Sequence, residues 1–228
     1  MDNNICDKIV SNITAMSSFA YDYQLSRGYI TLKYGYRVGI SGDISYNRNG
    51  KEQFAKINSV CFRIAQDRML YNPACFKKLY DKSVFNTSVI SPPGCGKTTF
   101  LKNLIMHLND NRPDMHICIA DERNELTPFG LKNASIMTNC NKGKSVEYFV
   151  RCMNPDLIVF DELWYECDFE SVRNAMMSGV SGVFSIHGTE TGKVVFQKDY
   201  DSLLPHIKRS VKLSERLGPG TIEKLESY

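Results

Sequence analysis

The stretch VFNTSVISPPGCGKTTFLKNL (residues 84–104) decides how this chain folds. Its pattern predicts an apolar strand, then a Gly/Pro-rich turn that ends in Gly-Lys-Thr, then an amphipathic helix. A phosphate-binding loop needs this order, because backbone N–H groups and the positive end of the helix together hold a triphosphate. The stretch therefore predicts a P-loop nucleotide site.

Individual residues of this loop have separate expected roles. Lys97 is expected to reach the β- and γ-phosphates, and Thr98 is expected to be a ligand of Mg²⁺. Ser91 stands where a P-loop has its first glycine, a turn position that a small residue is expected to tolerate. Pro92 carries no N–H and stiffens the approach, as does the proline after it. The predicted nucleotide-binding residues are Pro93, Gly94, Cys95, Gly96, Lys97, Thr98 and Thr99.

A second apolar strand, DLIVFDE (156–162), ends on two carboxylates. Ligands of open parallel sheets bind beyond the carboxyl ends of the strands, so these acids are expected near the phosphates. Asp161 is a predicted metal ligand for Mg²⁺, and Glu162 is predicted to orient or deprotonate the attacking water. The alternative for Asp161 is that it caps the next helix.

Two further strand ends carry candidate catalytic residues. A predicted strand at 115–121 runs into a charged cluster in which Glu122 is a rival catalytic base and Arg123 a candidate phosphate or inter-subunit contact. The alternative for this cluster is a solvated loop. His187 ends the apolar stretch VFSIHG and could sense the γ-phosphate through a hydrogen bond, or be an ordinary surface or core histidine.

The order of the predicted elements defines the fold class. After residue 80, strands and helices alternate, which predicts an α/β domain: a P-loop NTPase core with a mostly parallel sheet and helices on both faces. The tail alternates over 206–213 and 221–227 and predicts a β-hairpin. Residues 1–80 are predicted to form a small N-terminal α+β domain, and residues 81–228 a P-loop ATPase domain with this C-terminal hairpin.

Composition narrows the class of partner. The chain has 228 residues and a formal net charge of +3 without a basic run, so no nucleic-acid partner is expected. Its eight scattered cysteines lack a C-x-x-C pair, which favours reduced thiols in the cytosol. No apolar run approaches the ~18 residues of a membrane helix, and the start lacks a secretory signal. Membrane contact is therefore expected to be indirect.

Six segments together have the pattern of one family: RGYITLKYGYRVGISG (27–42), SPPGCGKTTFLKNL (91–104), ADERNEL (120–126), DLIVFDEL (156–163), IHGT (186–189) and LSERLGPGTIEKL (213–225). Through them the sequence, over about residues 27–225, resembles the stage III sporulation protein AA family, ATPases of endospore-forming bacteria. The family resembles secretion-type, AAA+-like P-loop ATPases that have an extra strand between the Walker A strand and the Walker B strand.

The resemblance implies ATP and Mg²⁺ as cofactors and a homo-oligomeric ring. It also implies a cytoplasmic location, peripherally associated with membrane-embedded sporulation channel proteins between mother cell and forespore. By the same resemblance, Glu122 and Arg123 map to an acidic-box region. Relative to the family, an N-terminal segment is expected to be shortened, and WYEC (164–167) replaces a stretch that usually contains glycine.

The predicted function is ATP binding and hydrolysis that drives transport or assembly at the mother cell–forespore membrane. The alternatives are a nucleotide-dependent oligomeric scaffold with little turnover, and a nucleic-acid motor ATPase. A small-molecule kinase is disfavoured because no arginine-rich lid segment is evident. Ring ATPases commonly use an arginine from a neighbouring subunit. The candidates here are Arg37, Arg63, Arg68, Arg151 and Arg173.

Overall fold

A computed structural model describes residues 4–15, 18–32, 36–50, 52–64, 76–77, 80, 84–128, 130–189 and 193–228. The chain divides into two compact units, residues 1–66 and 67–228. The domain boundary predicted between residues 80 and 81 stays a prediction. Arg68, one of the candidate arginines, lies outside the described residues.

The first unit combines two helices with a small antiparallel sheet. The helices are α1 (Asn4–Ile13) and α2 (Ser18–Leu25). The sheet has the order β1-β2-β3, with β1 at Tyr29–Thr31, β2 at Arg37–Tyr46 and β3 at Glu52–Arg63. Alternate residues of these strands face a core, because successive side chains of a strand point to opposite sides. The buried core residues are Val10, Ile30, Val38, Ile40 and Ile57.

The second unit is built on a seven-stranded sheet with the spatial order β10-β9-β4-β8-β7-β5-β6. Its strands are β4 (Thr87–Ser91), β5 (Ile117–Asp121), β6 (Ala134–Thr138), β7 (Leu157–Leu163), β8 (Ser181–His187), β9 (Arg209–Ser214) and β10 (Thr221–Ser227). Its helices are α3 (Lys97–Asn111), α4 (Lys142–Tyr148), α5 (Glu166–Met177) and α6 (Gln197–Asp201). A π-helical segment, Phe149–Met153, continues α4, and a 3₁₀ turn spans Leu204–His206.

The strand pairing of this sheet is parallel except at one edge. The P-loop strand β4 pairs in parallel with both β8 and β9, and β8 pairs in parallel with β7. The strand β8 therefore lies between the P-loop strand and the acidic strand, which confirms the predicted extra strand. The edge strand β10 pairs antiparallel with β9 and forms a terminal hairpin.

Both faces of the sheet are covered by helices, which explains why the strands are apolar throughout. Alternate residues of one strand belong to different cores: Ile117 and Ile119 pack with α3, whereas Cys118 and Ala120 pack with α4 and α5. With both faces buried, the polar chemistry of this sheet concentrates at the strand ends. The carboxyl ends of β4, β5, β7 and β8 carry the predicted site residues.

Candidate functional site

The loop between β4 and α3 requires glycine at two positions. Gly94 has φ of +79° and Gly96 has φ of +85°, in the left-handed region that glycine adopts without strain. A Cβ on Gly96 would also lie 2.8 Å from the backbone nitrogen of Gly220, whereas the space around Gly94 is open. The N–H of Gly220 donates a hydrogen bond to the Cys95 carbonyl at 2.9 Å. The turn of the terminal hairpin therefore packs directly on the loop.

Ser91 shows why this loop does not need its first glycine. It is the last residue of β4, in extended backbone, and it is buried. Its carbonyl oxygen accepts hydrogen bonds from the N–H of Gly188 and from Lys97 Nζ, both at 3.0 Å. A residue with a small side chain and ordinary φ satisfies this position.

The Lys97 ammonium lies at the centre of the site. It is 8% exposed, and Nζ donates to the carbonyls of Ser91 at 3.0 Å and Pro92 at 3.1 Å. Nζ also lies 3.4 Å from Glu162 Oε1 and 3.4 Å from His187 Nδ1. Burial lowers the pKa of Lys97 below its ordinary value, and the Glu162 carboxylate opposes that effect. The lysine is thus held at the mouth of the loop by contacts that a phosphate could replace.

His187 and Glu162 meet because β8 lies between β4 and β7. The register places His187 opposite Ser91, at the same sheet edge as the loop. His187 Nε2 lies 2.9 Å from Glu162 Oε1. A neutral imidazole protonated at Nε2 suits both contacts, since it donates to the carboxylate and accepts from Lys97 at Nδ1. The Trp164 and His187 rings pack edge-to-face, with ring centroids 5.3 Å apart.

A lysine that the sequence patterns did not single out joins the predicted acids. Lys142 is the first residue of α4 and is 3% exposed. Its Nζ lies 2.9 Å from Asp161 Oδ1, 3.0 Å from Glu122 Oε2 and 3.7 Å from Asp168 Oδ2. Burial lowers the pKa of Lys142, but the surrounding carboxylates, Asp161 first, raise it by more, so the net shift is upward.

One signal in the sequence could have pointed to Lys142. Asn141 caps α4 by accepting a hydrogen bond from the Lys144 N–H, and asparagine is a preferred N-cap residue. The helix start follows β6 closely, so Lys142 had to lie near a carboxyl strand end. The residue type pointed instead to the surface, because lysine is almost never buried unless it is paired.

Asp161 is a buried carboxylate with few polar partners. Burial raises its pKa to about 6, although the Lys142 ammonium opposes the rise. Apart from that ion pair, neither of its buried oxygens accepts a well-aligned hydrogen bond within the described residues. The capping role proposed for Asp161 belongs to Asp168, which accepts hydrogen bonds from the N–H groups of Trp164 at 2.9 Å and Tyr165 at 3.0 Å.

Thr98 and Asp161 are residues that could hold Mg²⁺ next to a bound phosphate group. Thr98 is in the first turn of α3 and is exposed, and Asp161 contributes carboxylate oxygens without a full set of partners. Among the residues that the structure describes, no three His, Cys, Asp or Glu side chains are grouped to hold a metal alone. Mg²⁺ at nucleotide sites typically uses one or two protein groups plus phosphates and water.

The charged loop after β5 is held in place by Asp121, the last residue of that strand. Asp121 is fully buried, and its two oxygens accept hydrogen bonds from the N–H groups of Glu125, Leu126 and Thr127 and from the Thr127 hydroxyl, at 2.7–3.0 Å. The loop is therefore not a loose solvated segment.

This pinned loop positions two predicted catalytic residues. Glu122 is held against Lys142. Arg123 is half-buried. Burial lowers the pKa of His187, the charges of Lys97 and Arg123 lower it further, and the Glu162 carboxylate opposes the shift. The structure thus brings Lys97, Glu162 and His187 into one group and Glu122 and Asp161 into a second.

The fold and this loop define a class of protein. A parallel sheet whose P-loop strand leads into a helix, with an acidic strand two positions away, is the P-loop NTPase fold. Three solved ATPase structures are similar to it. VirB11 from the Brucella suis type IV secretion system, in complex with sulphate, has 15% identity and a TM-score of 0.52 over 88% of this chain and 75% of that chain.

The other two structures are a pilus motor and a further ATPase. The pilus retraction motor PilT with bound ADP has 15% identity and a TM-score of 0.54, over 84% of this chain and 60% of that chain. The ATPase DotB of Legionella pneumophila has 14% identity and a TM-score of 0.61, over 93% of this chain and 64% of that chain.

Within this class, the chain belongs to the family described as sporulation stage III, protein AA, which matches residues 2–227. A curated relative, stage III sporulation protein AA of Bacillus subtilis (strain 168), is 27% identical over 231 residues, which are 95% of this chain and 75% of the relative. The family resemblance and the predicted fold class are therefore confirmed. In the described part of the chain, no helix is both long and apolar enough to cross a bilayer.

Proposed function

We propose that this chain binds Mg·ATP at its P-loop and hydrolyses it. The observation that carries this proposal is the meeting of Lys97, Glu162 and His187 beside the loop, with contacts of 2.9–3.4 Å between charged or ionisable groups. A phosphate-binding lysine, a candidate base and a hydrogen-bonding sensor are the parts that phosphoryl transfer to water requires.

The loop residues would bind the nucleotide. The backbone N–H groups of Gly94, Cys95, Gly96, Thr98 and Thr99 would donate to phosphate oxygens, and Pro93 would shape the turn. The Lys97 ammonium would exchange its contacts with Ser91 and Pro92 for the β- and γ-phosphates. Thr98 and Asp161 are the residues that would hold Mg²⁺, which when bound neutralises negative charge on the phosphate oxygens.

Glu162 is the favoured base of the two glutamates. In hydrolysis the water oxygen bonds to the γ-phosphorus, the bond to the β–γ bridging oxygen breaks, and the water proton passes to the base. Glu162 is hydrogen-bonded by His187 and would lose Lys97 to the phosphates, which would leave its carboxylate open to water. Glu122 instead forms an ion pair with Lys142, in the second group of side chains. With Arg123, it remains a candidate that flanks the γ-phosphate.

The assembly belongs to the same proposal. Family membership and the likeness to ATPases of secretion and pilus machinery support a homo-oligomeric ring on the cytoplasmic side of a membrane. There it would couple ATP turnover to membrane-embedded sporulation channel proteins between mother cell and forespore. A neighbouring subunit's arginine would complete the site, with Arg37, Arg63, Arg68, Arg151 and Arg173 as candidates.

The test compares Lys97→Ala and Glu162→Gln with the parent chain. Phosphate release and particle size are measured with ATP, with ADP and without nucleotide. Lys97→Ala should lose turnover, and Glu162→Gln should keep ATP binding while turnover falls about 10²–10⁴-fold. Lys102→Ala, on the same helix, is the matched control. Equal phosphate release from Lys97→Ala and the purified parent would refute the proposal that this chain hydrolyses ATP.

One observation favours the second candidate, a nucleotide-dependent scaffold with little turnover. The Glu162 carboxylate is engaged by both Lys97 and His187, so a chain that never released it would bind ATP and assemble without hydrolysis. ATP-dependent assembly with the same low turnover in parent and Glu162→Gln would establish this reading. The nucleic-acid motor has the weaker support, because the net charge is only +3. Strong stimulation of ATPase activity by single-stranded nucleic acid would reverse that order.

A further inference from the structure

A buried ammonium holds together three carboxylates from three separate elements. Lys142 begins α4, whereas Glu122 follows β5, Asp161 is in β7 and Asp168 is in α5. The three ion-pair distances are 2.9–3.7 Å. Because an unpaired charge in a protein interior is strongly unfavourable, these four side chains constrain one another's positions. Lys142 therefore links the acidic strand to the loop after β5 and to the helix that follows.

The three acids do not stand in equal relation to this lysine. Asp168 lies farthest from Nζ, and its Oδ2 atom already accepts two backbone N–H groups at the start of α5. Asp161 lies nearest and has no other well-aligned partner among the described residues. The Lys142 ammonium is thus the ion-pair partner that holds the Asp161 carboxylate.

The group also has the charge to receive a divalent cation. Three carboxylates and one ammonium leave a formal charge of −2. The polar contacts of the Lys142 ammonium go to these acids, whereas those of Lys97 go to the P-loop carbonyls, Glu162 and His187. The two lysines therefore serve different parts of the site: Lys97 contacts the P-loop, and Lys142 contacts the acids.

We propose that Lys142 is a positioning residue that orients the Asp161 carboxylate for the Mg²⁺ ion of the bound nucleotide and holds Glu122 beside it. This inference rests on the proposed function, since it requires a Mg·nucleotide complex at the P-loop. Groups that orient metal ligands affect metal affinity about 10–100-fold. Lys142 should therefore act on the metal-dependent part of nucleotide binding and leave the loop's own contacts with phosphate intact.

The test measures the affinity for the non-hydrolysable analogue AMP-PNP, once with Mg²⁺ and once with EDTA. The ratio of the two affinities is the metal enhancement. Trp164 is the only tryptophan of the chain and lies against His187, so its fluorescence can report binding, with calorimetry as a second readout. The variants are Lys142→Met and the matched control Lys144→Met, an exposed lysine on the same helix.

Lys142→Met should lower the metal enhancement about 10-fold or more, while the affinity in EDTA stays within about three-fold of the parent. Lys144→Met should change neither value. A Lys142→Met protein with the parent's enhancement would overturn the proposal. So would an equal loss with and without Mg²⁺, because that pattern indicates a purely structural role.

Removal of a buried counter-charge can prevent folding, so a second pair of variants is included. Lys142→Met combined with Asp168→Asn removes one charge of each sign, and Asp168→Asn alone keeps the contact between Lys142 and Asp161 as well as an amide oxygen that can cap α5. The double variant should lose the enhancement that the single variant keeps, and equal enhancement in the two would refute the role of Lys142. A parent chain that binds AMP-PNP neither with nor without Mg²⁺ would instead refute the proposed function itself.

Discussion

Two glycines of the P-loop allow a direct test of how the terminal hairpin supports the loop. Gly94 and Gly96 both have positive φ, but only Gly96 faces the backbone of Gly220. The substitutions Gly94→Ala and Gly96→Ala therefore introduce the same kind of backbone strain. They differ in whether the new methyl group meets another part of the chain.

The expected magnitudes follow from these contacts. A left-handed backbone costs alanine about 1–2 kcal/mol, and reduced freedom of the unfolded chain offsets about 0.4–1 kcal/mol of that. Gly94→Ala should therefore lower the free energy of unfolding by about 1 kcal/mol. For Gly96→Ala the methyl carbon would lie 2.8 Å from Gly220 N and 3.2 Å from the Pro219 carbonyl carbon, so the turn must move.

That movement adds two costs for Gly96→Ala. Overpacking of a filled region costs about 1–3 kcal/mol, and loss of the hydrogen bond from Gly220 N–H to the Cys95 carbonyl costs about 0.5–1.5 kcal/mol. Gly96→Ala should thus be less stable than Gly94→Ala by about 1.5–4.5 kcal/mol. Urea unfolding without nucleotide, followed by Trp164 fluorescence, measures the difference within the second unit. Two variants of equal stability would show that the hairpin turn does not support the loop.

Two further predictions concern groups that the sheet buries. Asp121→Asn should lower the free energy of unfolding by about 1.5–3 kcal/mol. The reason is that the amide nitrogen of asparagine would face N–H groups that the charged carboxylate now accepts from. A free energy of unfolding in urea within about 0.5 kcal/mol of the parent would contradict this prediction. The Cys118 thiol is fully buried, and this burial raises its pKa to about 12. At pH 8 the native chain should therefore show labelling of exposed Cys61 and Cys152 by a thiol reagent long before Cys118, as read by mass spectrometry of the peptides.

The sequence anticipated individual elements well because their signals are local. The predicted strand at 134–138 is β6, and the predicted strand over 115–121 is β5 at Ile117–Asp121. A helix predicted over 144–153 begins earlier, at Lys142, and its last part is π-helical. Apolar runs and glycine turns are encoded within a few residues, whereas the periodicity of residues 144–153 does not distinguish an α-helix from one that ends in a π-helical segment.

Contacts between side chains that are far apart in the sequence were harder to predict. The patterns indicated Lys97, Glu162 and His187 one at a time, but not that one histidine would contact both of the others. The capping of α5 by Asp168 was likewise unforeseen, since two acids seven residues apart compete for that role. Asp121 was grouped with its charged neighbours, although its hydrogen bonds make it a structural tie for the loop.

The amino-acid order by itself determined the strand–loop–helix unit around Lys97, the apolar strands with acidic ends and the family to which the chain belongs. These properties depend on the spacing of neighbouring residues, which any single segment contains. The tertiary structure alone decided that Gly220 packs on the loop, that His187 contacts both Lys97 and Glu162, and that Lys142 is buried among three acids. Those outcomes depend on which segments pack side by side, and a lysine at a helix start looks like a surface residue until its carboxylate partners surround it.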